Sequence, residues 1–258
     1  MIRDKKQKIA IIYEGEKTEE NLFRNISGHF FVDRADIMIV TLPAAGNLYM
    51  LWSKLQEDDF ETDVISVLKE MNRDLSERLG STEVADFSEE YLFFDYDGHH
   101  NNVPKKLEGR DVLEEMLHTF NNETELGKLY ISYPMVESIK EISVCTQDYG
   151  TFYISLEECG TYKEKVGGAS DYADFRRITK EMWYVACTAS RKRASVIVCC
   201  REENDYQNFL KNISQEKIYN IQRDKFIREN RAIAILNSIP LFLIEYYGEP
   251  FWKTLQDA

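Results

Sequence analysis

The chain has 258 residues, 43% hydrophobic and 30% charged, the balance of a globular protein with a sizeable core rather than of a disordered or fibrous one. Its formal net charge of −13 argues against a uniformly basic, phosphate-gripping surface. The charges are segregated, however: residues 161–235 hold 15 Lys and Arg against 10 Asp and Glu, and the rest of the chain 17 against 35. Such a split suits an acidic metal-loaded core with a more basic substrate-gripping region, and it equally suits a solvated acidic face.

In chain order, the isoleucine-rich run KIAIIY (residues 8–13) predicts a buried strand ending at Glu14-Gly15. Leu22, Phe23, Ile26 and Phe30 then recur at helical spacing, and Glu16, Glu19 and Glu20 crowd the helix start, where the macrodipole favours anions. DIMIVTL (36–42) is a second strand, followed by a turn and a helix from Leu48. Val64, Leu68, Met71, Leu75 and Leu79 predict one helix over 64–79, stopped by Gly80. YLFF (91–94) is a third strand running into Asp95-Tyr96-Asp97-Gly98. A helix follows over Val112, Leu113, Met116, Leu117 and Phe120, then a fourth strand, LYISY (129–133), ended by Pro134.

Strands separated by helices imply an α/β fold, with a mainly parallel sheet flanked by helices. Residues 1–144 are read as this core and 145–238 as a helical elaboration, with 172–189 and 207–236 helical. IPLFLIEY (239–246) suits either a return strand, in a last segment spanning 239–258, or a helix. Five cysteines without CxxC spacing give neither a disulfide framework nor a thiolate zinc site, and a reducing compartment fits. The apolar run before Glu14 is too short for a signal-peptide core, and no stretch approaches the roughly 20 apolar residues of a membrane span. A cytoplasmic protein without a membrane partner is expected.

The chemistry lies in the carboxylates. Ligands of an open parallel sheet sit outside the carboxyl ends of its strands. Glu14 falls at one such end, Asp95 and Asp97 at another, and residues two apart in an extended segment face the same side. Carboxylates gathered there repel unless a cation lies among them, and hard oxygen donors favour Mg2+ or Mn2+ over zinc. Those ions serve phosphodiester chemistry. His99 and His100 follow directly and suit proton relay or phosphate contact, as they suit a surface loop. Lys163, Lys165, Arg176, Arg177 and the triplet Arg191-Lys192-Arg193 suit substrate phosphate, as they suit solvated helix faces.

Tyr-Glu-Gly-Glu-Lys-Thr-Glu (13–19) after one strand and Phe-Asp-Tyr-Asp-Gly (94–98) after a later one resemble the Toprim fold of topoisomerases, primases and OLD-type nucleases. EGEKTE followed by a helix looks like the small Toprim nucleases of bacterial defence, among them the RloB-like group and the effector subunit of the PARIS anti-phage system. The resemblance covers about the first 140 residues. It implies that Glu14 is a metal ligand or general acid/base and that Asp95 and Asp97 are the DxD ligands. Glu19 resembles a further first-turn ligand for a second metal, although the helix dipole explains a glutamate there equally well. Glu137, in YPMVES, resembles a glutamate that RloB-like proteins place after the fourth strand; an exposed helix residue is the plainer reading.

The resemblance further implies a metal-dependent endonuclease acting on RNA or DNA, with tRNA slightly ahead of DNA. It also implies a homodimeric active form and an ABC-type ATPase sensor as partner. Three other readings compete. A haloacid-dehalogenase-like phosphatase shares the DxDG motif, but it gives EGEKTE no role and usually continues with Thr or Val where His99 stands. A non-catalytic Toprim-like subunit docking on an ATPase, and a DxD glycosyltransferase, are the remaining two.

Overall fold

In the computed structural model, which describes residues 7–15, 17–32, 37–44, 47–96, 109–142, 152–167 and 170–257, the first isoleucine-rich run forms strand β1 (Gln7–Tyr13). Ile9, Ala10, Ile11, Ile12 and Tyr13 are all at most 1% exposed, so the strand is covered on both faces, as a near-continuous apolar run requires. β1 pairs in parallel with β2 (Ile37–Pro43) on one side and with β3 (Phe87–Asp95) on the other, Tyr13 lying opposite both Pro43 and Phe93. Strand order is β2-β1-β3-β5-β4, where β4 (Asn121–Asn122) and β5 (Gly127–Ser132) are antiparallel. The fold is thus α/β with a mainly parallel five-stranded sheet. The chain forms two compact units, Met1–Phe94 with His100–Leu129, and Asp95–His99 with Tyr130–Ala258. The last change of unit along the chain falls inside β5, earlier than the sequence division at residue 144.

Among the described residues, the α-helices of the first unit are α1 (Thr18–Ile26), α2 (Leu48–Gln56), α3 (Val64–Met71), α4 (Arg73–Leu79) and α5 (Val112–Thr119). Asn47, Asp63, Asn72 and Asp111 each accept a hydrogen bond from an amide of the following helical turn, satisfying donors that have no partner within the helix. The single helix expected over 64–79 is therefore two. Asn72 leaves the helical region (φ −132°, ψ 103°), and its side chain accepts from the Leu75 amide at 3.0 Å, ending α3 and starting α4. Leu22, Leu51, Leu55, Ile65, Leu68 and Leu92 are fully buried in this unit, each such side chain contributing about 1.5–3 kcal/mol.

The second unit centres on α7 (Lys180–Cys199), which packs against α8 (Tyr206–Asn212), α9 (Gln215–Ile221) and α10 (Ile239–Asp257). A two-stranded antiparallel sheet lies in the same unit, β6 (Tyr153–Ser155) with β7 (Ala232–Ala234), and the four-residue α6 (Tyr162–Lys165) lies between β6 and α7 in the chain. The Gln222 side-chain amide takes the place of a further strand, donating to the Ala234 carbonyl at 2.6 Å and accepting from its amide at 3.0 Å. One expectation is corrected here, and one open choice is decided. Residues 232–234, expected in a helix, are a strand, and the candidate return strand within 239–258 is helix α10. The run IPLFLIEY is apolar on every side, and Ile239, Leu241, Phe242, Leu243 and Ile244 are each at most 2% exposed, as in a buried helix. Gly248 (φ 68°) and Pro250 interrupt α10, since proline offers no amide hydrogen to the helix. No helix among the described residues is long and apolar enough to cross a membrane.

Candidate functional site

In the first unit, parallel pairing makes β1 and β3 leave the sheet at the same end; Glu14 is the residue after β1. It is half-buried and precedes Gly15, and Glu19 stands in the first turn of α1. Glu19 is 8% exposed, and its carboxylate lies directly over Gly15: a methyl group built there would come within 2.7 Å of both Cδ and Oε1. Glycine is thus the residue that admits this carboxylate, at the helix end where the macrodipole favours an anion. Tyr49, in the first turn of α2, has its phenol pushed above the ordinary range by burial first, then by the carboxylates of Asp111 and Glu14. Tyr49 and Asp111 escaped the sequence reading. Asp111 is legible as a helix cap, but nothing local in the chain brings it near Tyr49.

In the second unit, Asp95 Oδ1 accepts a hydrogen bond from the Val136 amide at 2.9 Å, and the Tyr96 amide donates to the Ser132 carbonyl at 3.0 Å. Glu137 follows Val136 in the 3-10 helix Val136–Glu141 and is 2% exposed, so its plainer reading as an exposed helix residue is corrected. Its Oε1 is 2.6 Å from Lys163 Nζ. One turn on, Glu141 Oε2 accepts from the Tyr162 hydroxyl at 2.7 Å. Burial first, then Glu141 and Glu137, push that phenol far above its ordinary range.

Buried hydrogen bonds fix this helix. Asn237 Nδ2 donates to the Val136 carbonyl at 2.8 Å and to Ser138 Oγ at 3.0 Å, the Ser132 and Ser238 hydroxyls share a bond of 3.0 Å, and Tyr133 and Leu236 exchange two backbone bonds of 2.8 Å. Asn237, Ser132 and Ser238 were likewise missed, because isolated small polar residues carry no periodic signal.

The basic candidates divide. Lys165 pairs with Glu158 at 2.6 Å, and Arg176 and Arg177 both reach Asp174, at 2.9 and 3.5 Å. Hydrogen bonds from Arg176 hold the Asp174 carboxyl down at about 2. These three cations are exposed and tied to local acids.

The Arg191-Lys192-Arg193 triplet is corrected as a surface patch. Arg191 is 4% and Arg193 2% exposed, their guanidinium groups lying 4.5 Å from the Trp252 ring and 4.7 Å from the Phe152 ring. Two positions apart on α7, and so on nearly opposite sides of it, both arginines are buried where aromatic faces accept the cations. Burial brings Arg193 down to about 10, with Glu141 opposing the shift. Lys192 alone is partly exposed, 3.7 Å from Glu202.

Asp97, His99 and His100 lie outside the described residues. Among the described residues, no group of three or more His, Cys, Asp or Glu side chains is gathered to hold a metal ion. Of the candidate ligands, Glu14 and Glu19 lie in one unit and Asp95 in the other, and all are carboxylates, a donor type that suits Mg2+ or Mn2+ rather than zinc. Compared with known proteins, the chain matches no family model, no curated protein and no solved structure.

Proposed function

We propose that the chain is a metal-dependent endonuclease, a phosphodiester hydrolase acting on RNA or DNA and serving as the effector of a bacterial anti-phage system. The observation that carries the reading is the bond from the Val136 amide to the Asp95 carboxylate, one residue before the buried Glu137, which meets Lys163 at 2.6 Å. A carboxylate oriented by a backbone amide, and a buried carboxylate that meets a cation, are parts that phosphoryl chemistry uses. Mg2+ or Mn2+, the cofactor that the Toprim resemblance implies for Glu14, Glu19, Asp95 and Asp97, would supply Lewis acidity and an activated water. Of the chain's own groups, Asp95 is oriented by the Val136 amide, Glu137 serves as a carboxylate base or orienting group, and Lys163 brings positive charge towards a phosphate. A preference for tRNA, a homodimeric active form and an ABC-type ATPase sensor belong to the same proposal through the Toprim resemblance.

The test incubates purified protein with Mg2+ or Mn2+ and plasmid, single-stranded DNA or total tRNA, beside Glu14→Ala and Asp95→Ala chains. Cleavage by the wild type and by neither variant supports the reading. Identical products from all three chains overturn it. A non-catalytic subunit docking on an ATPase is the second reading. It predicts ATPase binding that survives both substitutions.

A further inference from the structure

Two carboxylates on one short helix are engaged by two consecutive residues of another segment. Glu137 and Glu141 belong to the helix Val136–Glu141, and their partners Lys163 and Tyr162 open α6. The two partners are anchored very differently. The Tyr162 ring is 1% exposed and its hydroxyl donates to Glu141 Oε2 at 2.7 Å, whereas the Lys163 side chain is 65% exposed while its ammonium sits 2.6 Å from Glu137 Oε1. A long exposed lysine stem has many rotamers, so its own packing does not hold the ammonium on a buried carboxylate. The backbone of Lys163 is set by its neighbour. Behind Glu141, the buried Arg193 donates from Nη2 to the Glu141 carbonyl at 3.4 Å, and its guanidinium balances the Glu141 carboxylate.

We propose that Tyr162, Glu141 and Arg193 are positioning residues that set the Lys163 ammonium on Glu137. Their part in catalysis rests on the nuclease reading; the geometric claim stands without it. Tyr162→Phe keeps the buried ring and removes only the donor. Glu141→Gln keeps the shape and removes the charge.

The experiment treats the full chain with an amine-acetylating reagent and follows Lys163 by peptide mass spectrometry, with the exposed Lys211 as internal reference. In Tyr162→Phe and Glu141→Gln, Lys163 acetylates roughly tenfold faster than in the wild type, about the factor that one charge-assisted hydrogen bond supplies, while Lys211 is unchanged. A Glu137→Gln control raises Lys163 reactivity directly. Should Tyr162→Phe fail to unfold cooperatively, Glu141→Gln carries the test.

Wild-type Lys163 reactivity in the folded variants, or in the Glu137→Gln control, overturns the proposal. With a nucleic acid that the wild type cleaves, Tyr162→Phe lowers kcat and leaves KM in place; an unchanged kcat overturns the catalytic part. A wild type that cleaves none of the substrates removes the nuclease reading alone, since the acetylation rates still decide whether Tyr162 sets Lys163.

Discussion

The Val136 amide donates to Asp95 Oδ1 across 2.9 Å and 41 residues of chain. That single bond links the last residue of β3 to the first residue of the helix carrying Glu137 and Glu141. A hydrogen bond to a charged group is worth about 1.5–3 kcal/mol, enough to fix a carboxylate's direction.

Replacing Val136 by proline removes this donor at a helix position where proline is tolerated, and the extended Met135 (φ −160°, ψ 174°) suits a residue before proline. The variant should stay folded, with stability lowered by about 1–3 kcal/mol and cleavage reduced roughly 10–100-fold, the scale on which an orienting partner matters. Urea unfolding and the plasmid or tRNA assay measure the two effects. Undiminished cleavage would show that the bond orients nothing of catalytic use.

Gly15→Ala places a methyl group against the Glu19 carboxylate. That carboxylate is the far end of a flexible side chain and can swing away, so the stability cost should stay near 1 kcal/mol, at the low end of overpacking. Cleavage should fall to the level of Glu19→Ala, and the double variant should be no worse than either single one. Additive losses would mean that Gly15 acts by another route.

Glu90, in β3, is 5% exposed, and burial, followed by the Asp63 carboxylate, pushes its pKa up to about 8 from 4.5. The folded state therefore binds the proton more tightly than the unfolded state. The contribution to stability is fully present below about 4.5 and is lost as pH rises towards 8. Glu90→Gln keeps the neutral form at every pH, so its stability relative to wild type should grow by about 1.4 kcal/mol per pH unit across that window. Denaturant unfolding at several pH values measures it, and a difference independent of pH would show that Glu90 titrates normally.

Arg193→Ala removes the donor to the Glu141 carbonyl and empties the space over Phe152. A loss of about 2 kcal/mol or more is expected, against less than about 0.5 kcal/mol for Lys192→Ala. Were the triplet a nucleic-acid contact instead, Arg193→Ala would weaken RNA binding and leave the melting temperature in place.

Much of the architecture could be read in the chain itself. KIAIIY and YLFF are apolar on both faces, as a covered strand of a parallel sheet requires, and α2, α3 and α4 between them each begin at a capping Asn or Asp. The same local logic joined α3 to α4. Val64, Leu68, Met71, Leu75 and Leu79 keep helical spacing across Asn72, and spacing alone does not show that Asn72 turns to cap the second helix.

The placement of Glu19 at the start of α1 and of Asp95 at the end of β3 was equally local, because strand ends and helix starts are written in neighbouring residues. Which charges are buried was not. Arg193 and Lys192 adjoin in the chain, yet one lies over Phe152 in the interior and the other reaches Glu202 near the surface. Glu137 meets a cation 26 positions further along, and α10 took a helical form in a run equally apolar for a strand. Periodicity records only what a residue needs from its immediate neighbours. Partners for a buried charge, and cover for an all-apolar segment, come from residues far along the chain, and only the tertiary structure brings those together.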